Sequence, residues 1–129
     1  MLREIGLTAS RKLSVSKVRL IYVAHNRGNN ELAPSEELLK EFKQKSSRDT
    51  AEAHNKTFKE INYEQRFRKE IMSNPAALSK LAKLSNESKE KDIYLVCYEG
   101  PSKACHRRIL LRICEELFGA MVQIDGVEP

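Results

Sequence analysis

Residues 93–119, IYLVCYEGPSKACHRRILLRICEELFG, decide how this chain is read. The opening IYLVC is a β-branched, apolar run of the kind found in strands buried on both faces. A short polar loop follows. From Lys103 to Phe118 the apolar residues Ile109, Leu110, Ile113, Cys114 and Leu117 then recur at helical spacing. Gly119 suits the left-handed position that closes a helix. Residues 120–124 (AMVQI) read as a further strand, and strand, helix, strand in that order imply a right-handed parallel crossover.

Upstream, residues 18–24 (VRLIYVA) form a second buried-type strand and residues 2–7 a shorter, edge-like one, with a polar, Ser-rich loop between them. HNRGNN is a turn after the second of these. Helices fill the middle. Pro34 or Ser35 opens one carrying Leu38, Leu39 and Phe42, and residues 46–55 read as a loop or frayed helix end. Residues 56–73 read as one helix with Phe58, Ile61, Phe67 and Ile71 near one side and Tyr63 as a flank. Asn74 and Pro75 open another, striped by Leu78, Leu81 and Leu84. The expectation is a single α/β domain over residues 1–129, a small three-layer sandwich. Its sheet would be mostly parallel with about four strands and flanking helices. Residues 1–17 would give the edge strand and polar loop, and 125–129 a tail.

Composition narrows the function classes. A hydrophobic content of 40% with 32% charged residues is that of a globular protein with its own core. No apolar run reaches the length of a membrane span, and the N-terminus lacks the apolar stretch of a secretory signal. Three cysteines at irregular spacing do not make a disulfide framework, which points to the cytoplasm. The net charge of +5 is carried by residues 1–30, where Arg3, Arg11, Lys12, Lys17, Arg19 and Arg27 face only Glu4. Such a segment favours anionic partners, so a non-catalytic nucleic-acid-binding module is the alternative reading. Oligomeric state is not legible.

The strand-to-helix junction carries the chemistry. Open α/β proteins keep ligands beyond the carboxyl ends of their strands. Ser102 suits an N-cap, with the amides of Lys103, Ala104 and Cys105 behind it. A helix N-terminus bears about half a positive charge, so Lys103, His106, Arg107 and Arg108 are poorly placed there unless an anion binds. A phosphate- or carboxylate-bearing ligand at residues 97–108 is therefore expected, held by Ser102, His106 and Arg107 with Arg27 assisting from the other strand end. Cys97 and Cys105 are candidate nucleophiles for hydrolytic or transfer chemistry, since a thiol near basic groups and a helix start loses its proton readily. Glu99 is a candidate acid or base, or a lock on Arg107 or His106. The spacing of Cys97, Cys105 and His106 is not that of a closed zinc site, and neither metal nor cofactor is expected. A Cys97–Cys105 disulfide is geometrically conceivable. Cys114 lies on the apolar stripe.

Cys97 and Glu99, followed by Cys105, His106 and Arg107, resemble the Cys-x-Glu and Cys-His-Arg elements of the family called domain of unknown function 488. Leu32, Ala33, Pro34 and Ser35, and the mid-chain Tyr63, Arg66, Phe67, Glu70 and Ile71, are similar to further segments of that family. Its members commonly carry an Asp and an Arg after the first strand. This chain has Ala24, His25, Asn26, Arg27 and Gly28, keeping the Arg-Gly and losing the Asp. The resemblance implies an α/β fold and a shared pocket, and no particular reaction. Strand, Cys, loop and helix is also similar to the layout of cysteine phosphatases. Those need an Arg six positions after the Cys, where this chain has Lys103.

Overall fold

A computed structural model describes residues 1–14, 16–46 and 48–128. Val15 in the expected N-terminal loop, Ser47 in the expected 46–55 loop and Pro129 in the expected tail lie outside the described residues. The elements run β1 (Leu2–Gly6), α1 (Leu7–Ser10), β2 (Val18–Tyr22), a 3-10 turn (Asn30–Leu32) and α2 (Glu36–Lys45). They continue with α3 (Ala51–Glu60), α4 (Tyr63–Met72), α5 (Pro75–Glu87), β3 (Asp92–Cys97) and α6 (His106–Phe118). The strands form one parallel sheet in the order β1-β3-β2, with β3 in the centre.

Because strand side chains alternate, the register sorts the sheet into two faces. Leu2, Glu4, Ile21, Ile93, Leu95 and Cys97 share the buried face, under α6 and the helices packed on it. Ile5, Leu20, Tyr22 and Tyr94 share the other, which is half-buried and flanked by the short α1. The core joins the first face to Phe67 and Ile71 of α4, Leu81 of α5 and Leu110, Leu111 and Ile113 of α6. Leu117, assigned to that stripe by spacing, is instead 47% exposed.

The α/β class, parallel sheet and flanking helices match the sequence expectation; the strand count does not. Among the described residues there are three strands, because residues 120–124 meet β1 only at the bridge Leu2–Val122. Leu2 N–H donates to Met121 O at 3.0 Å and Gln123 N–H to Leu2 O at 2.9 Å. Beyond that the chain turns, and the amides of Asp125 and Gly126 donate to the Glu4 carboxylate at 3.0 and 3.2 Å. A carboxylate accepts more strongly than a peptide carbonyl, so the ladder stops there.

The helix expected over residues 56–73 is two helices. Asn62 adopts the left-handed conformation (φ 55°), which Asn tolerates better than most residues, and separates α3 from α4. The break lets Phe58 and Tyr63 stack at 4.0 Å, a pair that a continuous helix would place on different sides. α3 begins at Ala51, within the expected loop, because Thr50 caps it by accepting from Ala53 N–H at 3.1 Å. Ser35 caps α2 and Asn74 caps α5, as their sequences suggest. No helix among the described residues is long and apolar enough to cross a membrane.

Candidate functional site

α6 starts at His106, three residues later than the spacing of apolar residues suggests. Ser102 is exposed in the preceding loop and caps nothing; the cap position belongs to Cys105 (φ −146°, ψ 148°). The reason is a clamp from α3. Asn55 Oδ1 accepts from Ala104 N–H at 2.8 Å, and Asn55 Nδ2 donates to Ser102 O at 3.0 Å. His54 Nε2 donates to Ala104 O at 2.6 Å, since a carbonyl can only accept. These bonds hold the loop extended up to Cys105, so α3 sets where that thiol stands.

Above the junction lies a cavity of about 640 Å³ at the carboxyl end of β3, the central strand. Cys97, Cys105 and His106 form its floor. Phe42, Phe58 and Tyr63 line one wall; His25, Lys43, Arg48, Asp49, Glu99 and Lys103 bring charge to it. The mouth is cross-linked by Lys103, whose ammonium meets Asp49 at 2.7 Å and Glu99 at 3.9 Å.

On the floor, His106 Nε2 donates to the buried carbonyl of Val23 at 2.7 Å. That leaves Nδ1 with its lone pair toward the thiols, 3.6 Å from Cys105 Sγ and 3.9 Å from Cys97 Sγ. Phe67 supports the ring edge-on at 5.3 Å. Burial pushes the Cys105 thiol up. The hydrogen bond from Cys97 and the Arg107 charge work against it, as does His106 whenever its ring carries a second proton, and Cys105 is held well below the ordinary thiol range. Cys97 moves the opposite way, raised by its bond to Cys105 and by burial. All three cysteines are free thiols, so the conceivable Cys97–Cys105 disulfide is not formed.

Arg107 and Arg108 turn away from this cavity. Arg107 Nε donates to Glu4 Oε1 at 2.8 Å, and Arg108 Nε to both Glu4 oxygens at 2.8 Å. Arg108 also donates to the carbonyls of Lys103, Val127 and Gly100 at 2.6, 2.7 and 3.2 Å. The two guanidiniums are 1% and 0% exposed. The lock expected from Glu99 is thus supplied by Glu4: alternation along β1 puts Glu4 on the buried face, while Glu99 faces Lys103. Residues 125–128 close over the cluster. Gly126 is required there, since a Cβ would stand 2.1 Å from Arg108 Nη2 and 2.7 Å from Pro101 O.

Of the candidates, Cys97, Glu99, Cys105 and His106 line the cavity; Arg27, Ser102 and Arg107 do not. Arg27 donates from Nε to the Tyr98 hydroxyl at 3.0 Å and lies over that ring, lining a separate small pocket with Leu7 and Tyr22. The N-terminal charge is partly neutralised internally, with Arg3 paired to Asp92 and Arg19 to Glu87. Sequence reasoning missed Glu4, His54 and Asn55, and had Lys103 only as one of the cations near the helix start. Glu4 had a readable signal, an acid two positions after Leu2 in a strand whose alternation sends both inward. His54 and Asn55 had none, because their role depends on a helix start hidden in a polar stretch.

Fold and site together define a parallel α/β domain with a thiol–imidazole floor beneath a cavity at its central strand end. A family model described as the active DUF488-N3 subclade matches residues 3–117, and the chain belongs to that DUF488 family. No curated protein and no solved structure matches it.

Proposed function

We propose that the protein is a small-molecule enzyme whose reaction centre is the floor of this cavity, acting by hydrolysis or group transfer on a ligand with an anionic group. The observation that carries the reading is the convergence of Cys97, Cys105 and His106 beneath a cavity of about 640 Å³. Pockets of this size accept a small organic ligand, and a few convergent polar groups under apolar walls are the usual composition of such a site. Phe42, Phe58 and Tyr63 suit an apolar or planar body. Lys43, Arg48 and Lys103 suit a phosphate or carboxylate, so the anion sits at the cavity mouth rather than at the amides of α6. Glu99 lies in the lining with His25 and Asp49 and is a candidate acid or base for the ligand. The family description, which names an active subclade, is consistent with an enzyme.

The test is thermal stability with inorganic phosphate, dicarboxylates and a mononucleotide, repeated on Lys103→Ala and Arg48→Ala. At least one anion should raise the melting temperature of the wild type and raise it less in the variants. Equal responses in all three proteins, or none, would overturn the anion assignment. Hydrolysis of p-nitrophenyl phosphate and p-nitrophenyl acetate, lost in Cys105→Ser, tests the chemistry.

A further inference from the structure

We infer that Cys97, Cys105 and His106 form a binding site for a divalent, thiophilic cation of the zinc class, with the fourth coordination position facing the cavity. The inference deepens the proposed function and rests on the cavity floor being its reaction centre. Four features of the floor carry it.

The first is distance. All three potential ligand atoms lie within 4.8 Å of one another. With bonds of about 2.3 Å to sulfur and about 2.0–2.1 Å to nitrogen, a tetrahedral ion separates its sulfur and nitrogen ligands by about 3.5–3.6 Å. His106 Nδ1 stands 3.6 Å from Cys105 Sγ and 3.9 Å from Cys97 Sγ. A cation entering from the cavity needs a contraction of a few tenths of an ångström at Cys97 and almost none at Cys105. For comparison, thiol hydrogen bonds of this length are weak, so little is lost when they are replaced.

The second is the tautomer. The Nε2–H of His106 is committed to Val23 O at 2.7 Å, so in the neutral ring the lone pair falls on Nδ1, the nitrogen nearest the sulfurs. A backbone carbonyl behind the imidazole is the outer-shell partner that metal-binding histidines characteristically have. Phe67 fixes the ring plane from the side. The imidazole is thus held in the state and orientation a metal requires.

The third is coordination number. Among the described residues the cluster contains three ligands, and the cavity occupies the direction of a fourth. Structural zinc sites are closed by four protein ligands, whereas catalytic sites leave one position to water or substrate. This geometry belongs to the second kind.

The fourth is charge. Glu4, Arg107 and Arg108 together carry one net positive charge in the interior, and Arg107 Nη1 has no hydrogen-bond partner among the described residues. Two thiolates and one divalent cation add no net charge. The remaining positive charge favours an anionic fourth ligand, such as hydroxide or an oxygen of a carboxylate or phosphate. Loading releases the protons held by the thiols to solvent and moves no electrons. A water in the fourth position would be acidified by the cation, giving hydrolytic chemistry its nucleophile.

Cobalt(II) titration of the metal-free, reduced full chain tests this without any substrate. A 1:1 complex is expected, with a sulfur-to-cobalt charge-transfer band and intense visible bands of tetrahedral type, both lost when zinc displaces cobalt. Cys97→Ser and Cys105→Ser should lose the charge-transfer intensity while remaining folded by circular dichroism, and Cys114→Ser should keep it. Sodium azide should shift the visible bands, as it does only where a position is open. Should the serine variants fail to fold, one equivalent of zinc in the wild type should slow iodoacetamide alkylation of Cys97 and Cys105 by at least about tenfold. No charge-transfer band and no protection in the folded wild type would overturn the site. Bands indifferent to azide would overturn its open position. Lys103→Ala separates the two readings: losing the phosphate response with the cobalt band intact upholds the metal site, whereas a phosphate response without any cobalt band defeats the metal and leaves the anion pocket standing.

Discussion

His106, Arg107 and Arg108 are consecutive, all almost completely buried, and they serve two regions that behave oppositely. Each residue of a helix turns the side-chain direction by about 100°. His106 therefore meets the thiols beneath the cavity, while Arg107 and Arg108 reach back to Glu4 on β1. In the second region a single carboxylate accepts from two guanidiniums and two backbone amides. That cluster is sealed and nearly satisfied. The floor holds weak donors at 3.6 and 3.9 Å beside open volume. Buried polar groups ordinarily find full partners, so a loosely bonded cluster next to a void marks where a ligand completes the bonding. Adjacent reactive-looking residues on one helix thus divide into structure and chemistry according to who stands opposite them.

The largest way to break this division is Glu4→Ala. Removing the shared acceptor strands two buried guanidiniums and two amides, and should cost about 3–5 kcal/mol in urea unfolding. A loss below about 1 kcal/mol would mean that the cluster is not the structural one. By contrast, Cys105→Ser should change stability by only about 1 kcal/mol while removing the more reactive of the two thiols at the floor.

Acid sharpens the same contrast. Burial pushes the Glu4 carboxyl up, but the Arg108 hydrogen bond and the Arg107 and Arg108 charges outweigh it, and its pKa lies below the ordinary 4.5. A carboxyl depressed on folding contributes stability that is complete above the unfolded value and is lost as pH falls through the folded one. The urea midpoint should therefore drop below pH 4.5, and drop less steeply in Glu4→Gln than in the wild type. A parallel fall in the two proteins would assign the acid sensitivity elsewhere.

Among the thiols, metal-free protein should be alkylated first at Cys105, which lines the cavity and is held below the usual thiol range. Cys114, pushed up to about 11 by burial in the core, should lag far behind. Peptide mapping after brief iodoacetamide exposure near neutral pH reads the order, and equal labelling would remove the distinction between floor and core. The smallest effect belongs to Lys103→Ala. Its partner Asp49 is exposed, so stability should shift by less than about 1 kcal/mol while the response to phosphate weakens.

Much of the fold was legible because it rests on local pattern. The runs around Ile21 and Leu95, the caps Ser35 and Asn74 and the left-handed Gly119 each report their own neighbourhood. Misreadings arose where a distant partner intervened. Residues 120–124 have strand composition, yet Glu4 draws the following amides out of the ladder. The start of α6 moves from Lys103 to His106 because Asn55, some fifty residues earlier, clamps Ala104. Residues 56–73 show one helical period, and only the stacking of Phe58 on Tyr63 across Asn62 divides it.

For the site, the sequence by itself determined that two thiols, an imidazole, a carboxylate and two guanidiniums would gather where the central strand meets its helix. Covalent proximity guarantees as much. Tertiary structure alone decided their pairing. Charge is long-ranged and indifferent to sequence separation, so Arg107 and Arg108 took their partner from a strand about a hundred residues away. What that pairing left uncommitted was Cys97, Cys105 and the Nδ1 of His106, turned together toward the cavity.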